Sequence, residues 1–185
     1  MDRELSILFG LSGVGKTTMG RKVIGLDAGI AHLSASDLLK AAHSQSGEEL
    51  RTAQQDRLVA NQLVLKDALS NWRFPPGTHH ILLDAHSVID NDRVLVDIPV
   101  DVIASLSPDR LIFIRENPKI IVERRLSDTR IRPSRTAEEL GRHQERSFIV
   151  CQMFSKFLDV PLSVVQSGDL AEFRSVLGLK ILSQH

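Results

Sequence analysis

The stretch Leu5-Ser6-Ile7-Leu8-Phe9-Gly10-Leu11-Ser12-Gly13-Val14-Gly15-Lys16-Thr17-Thr18 decides how this 185-residue chain is read. Leu5 to Phe9 is an apolar run of strand length, and Thr17 to Ile24 can continue as a helix. Between them, residues 10–17 complete a G-x-x-x-x-G-K-[ST] pattern in the strand, loop, helix order that the pattern requires. Gly10, Gly13 and Gly15 can adopt dihedrals closed to other residues and turn their amide N–H groups inward around an anion. A helix starting near Gly15 adds the positive end of its dipole. Ser12, Val14 and Thr18 complete the set expected around the phosphates. Lys16 is expected to reach the β- and γ-phosphates as a point charge, and the Thr17 hydroxyl to coordinate a magnesium ion bridging them. The loop therefore predicts a nucleoside triphosphate with Mg2+.

Working outward, 185 residues at 42% hydrophobic content suit one domain spanning 1–185 with a sizeable core. Lys plus Arg and Asp plus Glu both number 23, so no bulk positive field draws nucleic acid and no charged tail suggests a membrane surface. The single cysteine, Cys151, lies in the apolar run Phe148-Ile149-Val150-Cys151 and reads as a packing residue. It excludes an internal disulfide and a multi-thiolate zinc site, so a reducing cytoplasm is the expected compartment. No apolar run approaches about 18 residues, so neither a signal peptide nor a membrane span is expected.

Strand-like runs at Ile30-Ala31-His32-Leu33, His80-Ile81-Leu82-Leu83-Asp84, Arg110-Leu111-Ile112-Phe113-Ile114 and Leu162-Ser163-Val164-Val165 alternate with helical segments. Ser34-Ala35-Ser36-Asp37 reads as a strand end and helix cap, and Ser46-Gly47-Glu48-Glu49 and Thr136-Ala137-Glu138-Glu139 as capping boxes. Asn117-Pro118 opens another helix, with proline where it fits best. Leu58, Leu65, Leu69 and Trp72 fall on one helix face, and Trp72 reads as core rather than as a base-stacking platform. The alternation predicts an α/β fold: a three-layer sandwich of a mostly parallel, five-stranded sheet with helices on both faces. Ligands in such sheets gather at the carboxyl ends of the strands, so the loop, Ser36-Asp37, Asp84 and the segment after Glu116 should share one cleft.

Asp84 ends an apolar strand and is the expected second magnesium ligand beside Thr17. His86 is read either as a hydrogen-bonding residue of the substrate site or as a structural histidine. Arg124, Arg125, Arg130, Arg132 and Arg135 crowd a short segment holding Pro133 between two capped helices. That density reads as a lid over about 127–136, whose guanidinium forks stabilise a transferring phosphoryl group. Arg124 and Arg125 point about 100° apart on a helix, so one faces the phosphates while the other packs or pairs. Arg146 either returns to the site or lies on an exposed helix face.

Together these residues resemble those of the nucleoside monophosphate kinases, most closely the short-lid, archaeal-type adenylate kinases. The resemblance spans nearly the whole chain. It rests on residues 10–18, Asp84-Ala85-His86-Ser87, Leu106-Ser107-Pro108-Asp109, Arg124-Arg125-Leu126 with Asp128, Arg130 and Arg132, and His143-Gln144. It implies Lys16, Arg124, Arg130 and Arg132 as catalytic residues, and residues 34–72 as the segment that binds the monophosphate. Ser36, Lys40, Arg51, Arg57, His86 and Arg93 are then the candidates for holding the acceptor. Ala35 stands where the longer enzymes have a threonine and Lys40 where they have an arginine, and Val88 to Pro99 lacks the glycine-rich stretch of the archaeal type. The expected reaction is transfer of the γ-phosphoryl group of Mg-ATP to a nucleoside monophosphate, AMP first. A kinase for another small acceptor, with Asp37 as base for a hydroxyl, and a nucleotide-dependent switch or assembly ATPase are the alternatives.

Overall fold

The computed structural model describes residues 3–43, 64–130 and 132–179. Its central sheet joins β1 (Glu4–Phe9), β2 (Ile30–Ser34), β3 (His80–Asp84), β6 (Arg110–Arg115) and β7 (Leu162–Gln166) in the order β2-β3-β1-β6-β7. Every neighbouring pair is parallel. The middle strands are apolar along almost their whole length because both faces are covered, and Ile7, Leu8, Phe9, Leu82, Leu83, Leu111, Ile112, Phe113 and Ile114 are completely buried. A separate antiparallel hairpin, β4 (Val88–Asp90) with β5 (Leu95–Asp97), follows β3.

The helices are α1 (Lys16–Ile24), α2 (Ala35–His43), the described helical residues 64–70 (α3), α4 (Val100–Ala104), α5 (Pro118–Leu126), α6 (Ala137–Leu158) and α7 (Leu170–Val176). Their starts follow local chemistry. The Asn117 side chain accepts the Lys119 N–H with Pro118 at the first helical position, Thr136 and Glu139 form a reciprocal capping box, and Asp169 caps α7. One helical group, α1 with α7, packs against β2, β3 and β7; the other, α4, α5 and α6, packs around β6, β7 and the hairpin. Phe9 and Phe154 meet at 5.7 Å between ring centroids, joining the central strand to α6. At the amino end of the sheet, Ser6 Oγ lies 2.8 Å from His80 Nε2, and His80 Nδ1 lies 3.3 Å from Glu4, which ties β1 to β3.

Two sequence expectations change here. Trp72 is 44% exposed, because α3 has ended before it and its ring is no longer carried on the helix face that buries Leu65. The hairpin also went unread, since three-residue strands are too short for alternation to register. The Ser46–Glu49 capping box and Leu58 lie outside the described residues. Cys151 is fully buried and its thiol is pushed up to about 12 by burial, as suits a packing residue. Among the described residues, no helix is long and apolar enough to cross a membrane.

Candidate active site

Parallel register brings the carboxyl ends of β1, β2 and β3 level, with Leu8 opposite Asp84 and Asp84 opposite Ser34. The chain leaves β1 through the loop at residues 10–15, where Gly10 has φ 137° and Gly15 φ 106°. A Cβ on Gly10 would stand 2.6 Å from the Ile114 carbonyl oxygen, so both the dihedral and the space demand glycine. Gly15 precedes α1 and offers no side-chain cap, which leaves the first amides of the helix facing the cleft.

Lys16 is 5% exposed, and its Nζ donates to the carbonyls of Gly10 at 2.8 Å and Leu11 at 3.3 Å while standing 3.5 Å from Asp84 Oδ1. Burial lowers its pKa against the opposing pull of Asp84. Thr17 Oγ1 donates to Asp84 Oδ2 at 3.0 Å, so the hydroxyl and carboxylate expected to share a metal are already neighbours. His86 Nδ1 lies 3.3 Å from the Gly10 carbonyl. The positive charge of Lys16, then burial, pulls its pKa down to about 4, so the ring is neutral at pH 7 and donates through Nδ1. His32 stands behind this group, with Nε2 3.9 Å from Asp84 Oδ2.

The tandem arginines divide: Arg124 lines the cleft, while Arg125 lies outside its lining. Arg124 Nη1 donates to the Val14 carbonyl at 2.9 Å, and Arg125 Nε donates to the Ser12 carbonyl at 2.9 Å. Both therefore grip the loop, and burial lowers Arg125 to about 10. Because the C=O and N–H bonds of a planar trans peptide point in opposite directions, holding the Ser12 and Val14 carbonyls towards α5 turns the Gly13 and Gly15 N–H groups the other way. From the segment after α5, Arg132 Nε donates to Ser12 Oγ at 2.8 Å, and its terminal nitrogen pairs with Asp128. Arg130 lines the cleft. Arg135 is held outside it by a two-point pair with Asp90 at 2.9 and 3.0 Å and by the Asp92 carbonyl. Arg146 lies on an exposed helix face, paired with Asp97.

Loop residues Leu11, Ser12, Gly13 and Gly15 with Lys16, Thr17, Asp84, His86, Arg124, Arg130 and Arg132 line one cleft of about 760 Å³. Its opposite wall carries Ser36, Asp37 and Lys40 from α2, with Lys40 Nζ 2.9 Å from Asp37 Oδ1. Aliphatic side chains of Leu39, Leu65, Ile89, Ile98 and Val102 continue that wall. Arg93, expected near the acceptor, sits instead in the exposed hairpin turn outside the cleft lining, because its backbone N–H is drawn into a turn by Asn91. Arg51 and Arg57 lie outside the described residues. Ser167 and Gly168, which follow β7 and line the cleft, were missed; the strand-end rule that singled out Asp84 would have found them.

Fold and cleft together define a phosphate-loop nucleotide-binding protein with an arginine-rich segment facing its loop. A family model described as an AAA domain matches residues 9–141. The chain is 30% identical over 172 residues to an adenylate kinase of Pyrococcus abyssi, covering 88% of this chain and 86% of that one. It is 29% identical over 171 residues to the adenylate kinase of Pyrococcus furiosus, with coverage of 88% and 86%. Among solved structures, shikimate kinase from Acinetobacter baumannii in complex with shikimate has a TM-score of 0.60 at 12% identity, covering 95% of this chain and 94% of that one. Shikimate kinase from Bacteroides thetaiotaomicron has a TM-score of 0.57 at 13% identity, with coverage of 95% and 99%. The structural matches speak for the fold. The chain belongs to this AAA-domain family of phosphate-loop kinases.

Proposed function

We propose that the protein transfers the γ-phosphoryl group of Mg-ATP to a nucleoside monophosphate, AMP first. The observation that carries this reading is one cleft with the Lys16–Thr17–Asp84 group at its base, Arg130 and Arg132 on one wall and Ser36 and Lys40 on the other. The adenylate kinases among its relatives favour a monophosphate acceptor. Residues 34–72 then serve as the acceptor segment and 127–136 as the lid, within one kinase domain.

The acceptor phosphate is already a nucleophile, so the chemistry asks for positioning and charge neutralisation rather than a strong base. Loop amides and Lys16 would hold the triphosphate, and Arg130 and Arg132 would spread the charge that builds on the transferring oxygens. Thr17 and Asp84 offer two hard oxygen donors 3.0 Å apart. Such a pair of donors would suit a magnesium ion. When bound, that ion would supply positive charge that offsets the charge of the triphosphate. His86, neutral, would keep the Gly10 carbonyl turned away from the phosphates.

A second reading, a kinase for another small acceptor, draws on the Asp37 carboxylate in the cleft and on the shikimate kinase fold neighbours. There Asp37 would take the proton of an attacking hydroxyl. Competition among AMP, GMP, CMP and UMP with ATP, read as ADP formed, tests the proposal. ADP formation that requires AMP supports it. A requirement for a hydroxyl metabolite supports the second reading, and slow acceptor-independent hydrolysis counts against both.

A further inference from the structure

We infer that Glu116 is a positioning residue for the nucleotide, acting through Arg124; the inference rests on the cleft being a triphosphate site. Glu116 stands between the end of β6 and the Asn117 cap of α5, at the edge of the sheet that faces the loop. It is only 5% exposed. A carboxylate so placed is costly unless its oxygens are engaged, and here both are. Oε2 is paired with Arg124 Nη2 at 2.8 Å. Oε1 accepts the Asn117 N–H at 2.7 Å and the Gln166 amide at 3.3 Å. The backbone of Glu116 is fixed as well, since its N–H donates to Gln144 Oε1 and its carbonyl accepts from Gln144 Nε2, both at 3.0 Å.

This anchorage reaches the nucleotide site through a single planar group. With Nη2 on Glu116, the other terminal nitrogen of Arg124 donates to the Val14 carbonyl at 2.9 Å and to Ser167 Oγ at 3.2 Å. The guanidinium thereby ties the Val14–Gly15 peptide to β6 and to the residue after β7. By peptide planarity the Gly15 N–H then points away from Arg124, and its direction no longer depends on a ligand arriving. Presetting a donor in this way removes an ordering cost from binding. A lysine at 124 would keep the charge but lose the fork that spans Glu116 and Val14 together.

The experiment measures affinity for the β,γ-imido analogue of ATP with magnesium by calorimetry, which needs no acceptor, in Glu116→Gln, Arg124→Ala and the double variant. Glu116→Gln should weaken binding about tenfold, the scale of one charge-assisted hydrogen bond. In the Arg124→Ala background the same change should alter affinity less than twofold, because the route to the loop is already cut. Arg124→Lys should lose about tenfold by itself, which keeps the inference testable if Glu116→Gln does not fold. An undiminished Glu116→Gln effect in the Arg124→Ala background, or wild-type affinity in Arg124→Lys, overturns the inference while leaving the triphosphate site standing. Failure of the wild-type protein to bind the analogue overturns the site and the inference together.

Discussion

Replacing Lys16 with methionine should separate folding from catalysis. Lys16 is almost fully buried, and its pKa is lowered because burial outweighs the attraction of Asp84. A lysine with a depressed folded pKa is a charge that the fold disfavours relative to the unfolded chain, so losing it costs no net electrostatic stability at neutral pH. Methionine keeps the apolar stem at nearly the same volume, and Asp84 retains its 3.0 Å hydrogen bond from Thr17. Stability measured by urea denaturation should therefore stay within about 1.5 kcal/mol of wild type. Turnover is another matter: removing one preorganised charge from a phosphoryl-transfer site should cost at least about a hundredfold, or about 2.7 kcal/mol of barrier. A third readout comes from His86. Lys16 is the largest cause holding its pKa near 4, so histidine titration by NMR should move upward in the variant. A folded Lys16→Met protein with wild-type ADP formation, or an unmoved His86, would refute the reasoning.

Arg130→Ala and Arg132→Ala should each lower kcat more than they raise the Kd for ATP, since they would act on charge developing during transfer; unchanged turnover would return them to the surface. Lys40→Ala should raise KM for AMP several-fold more than KM for ATP, and equal effects on both would move the acceptor away from α2. Stability should fall as pH drops below about 6.5, because burial lowers the pKa of His32 and His80, and Lys16 and burial lower that of His86. The unfolded chain takes up protons there that the folded chain refuses, down to about 4 for His86. Urea midpoints at pH 7 and pH 5 check this. His86→Asn should flatten the dependence, and a midpoint that rises on acidification would contradict it.

Local chemistry accounts for what could be read before the fold was known. The glycines of residues 10–15, the caps at Asn117, Thr136 and Asp169, and the apolar strands act on neighbours within a few residues, so they stand in the sequence as patterns. The strand-end rule converts those patterns into a cleft, and it led to Asp84 beside Thr17 without any contact being known. What remained depended on partners distant in the chain. Glu116 reads as an ordinary helix-entry residue until folding buries it against Arg124 and Gln144, and nothing local says that Arg125 will hold the Ser12 carbonyl 113 residues away. Arg135 and Arg132 are equal in a count of arginines. Asp90 and the Asp92 carbonyl take one out of the cleft, while the Ser12 hydroxyl keeps the other on the loop. The sequence by itself determined which backbone could wrap an anion, because dihedral freedom and strand-end position are local or additive properties. The tertiary structure decided which charged side chains face that backbone, because the pairing of a charge depends on what folding brings within about 4 Å of it.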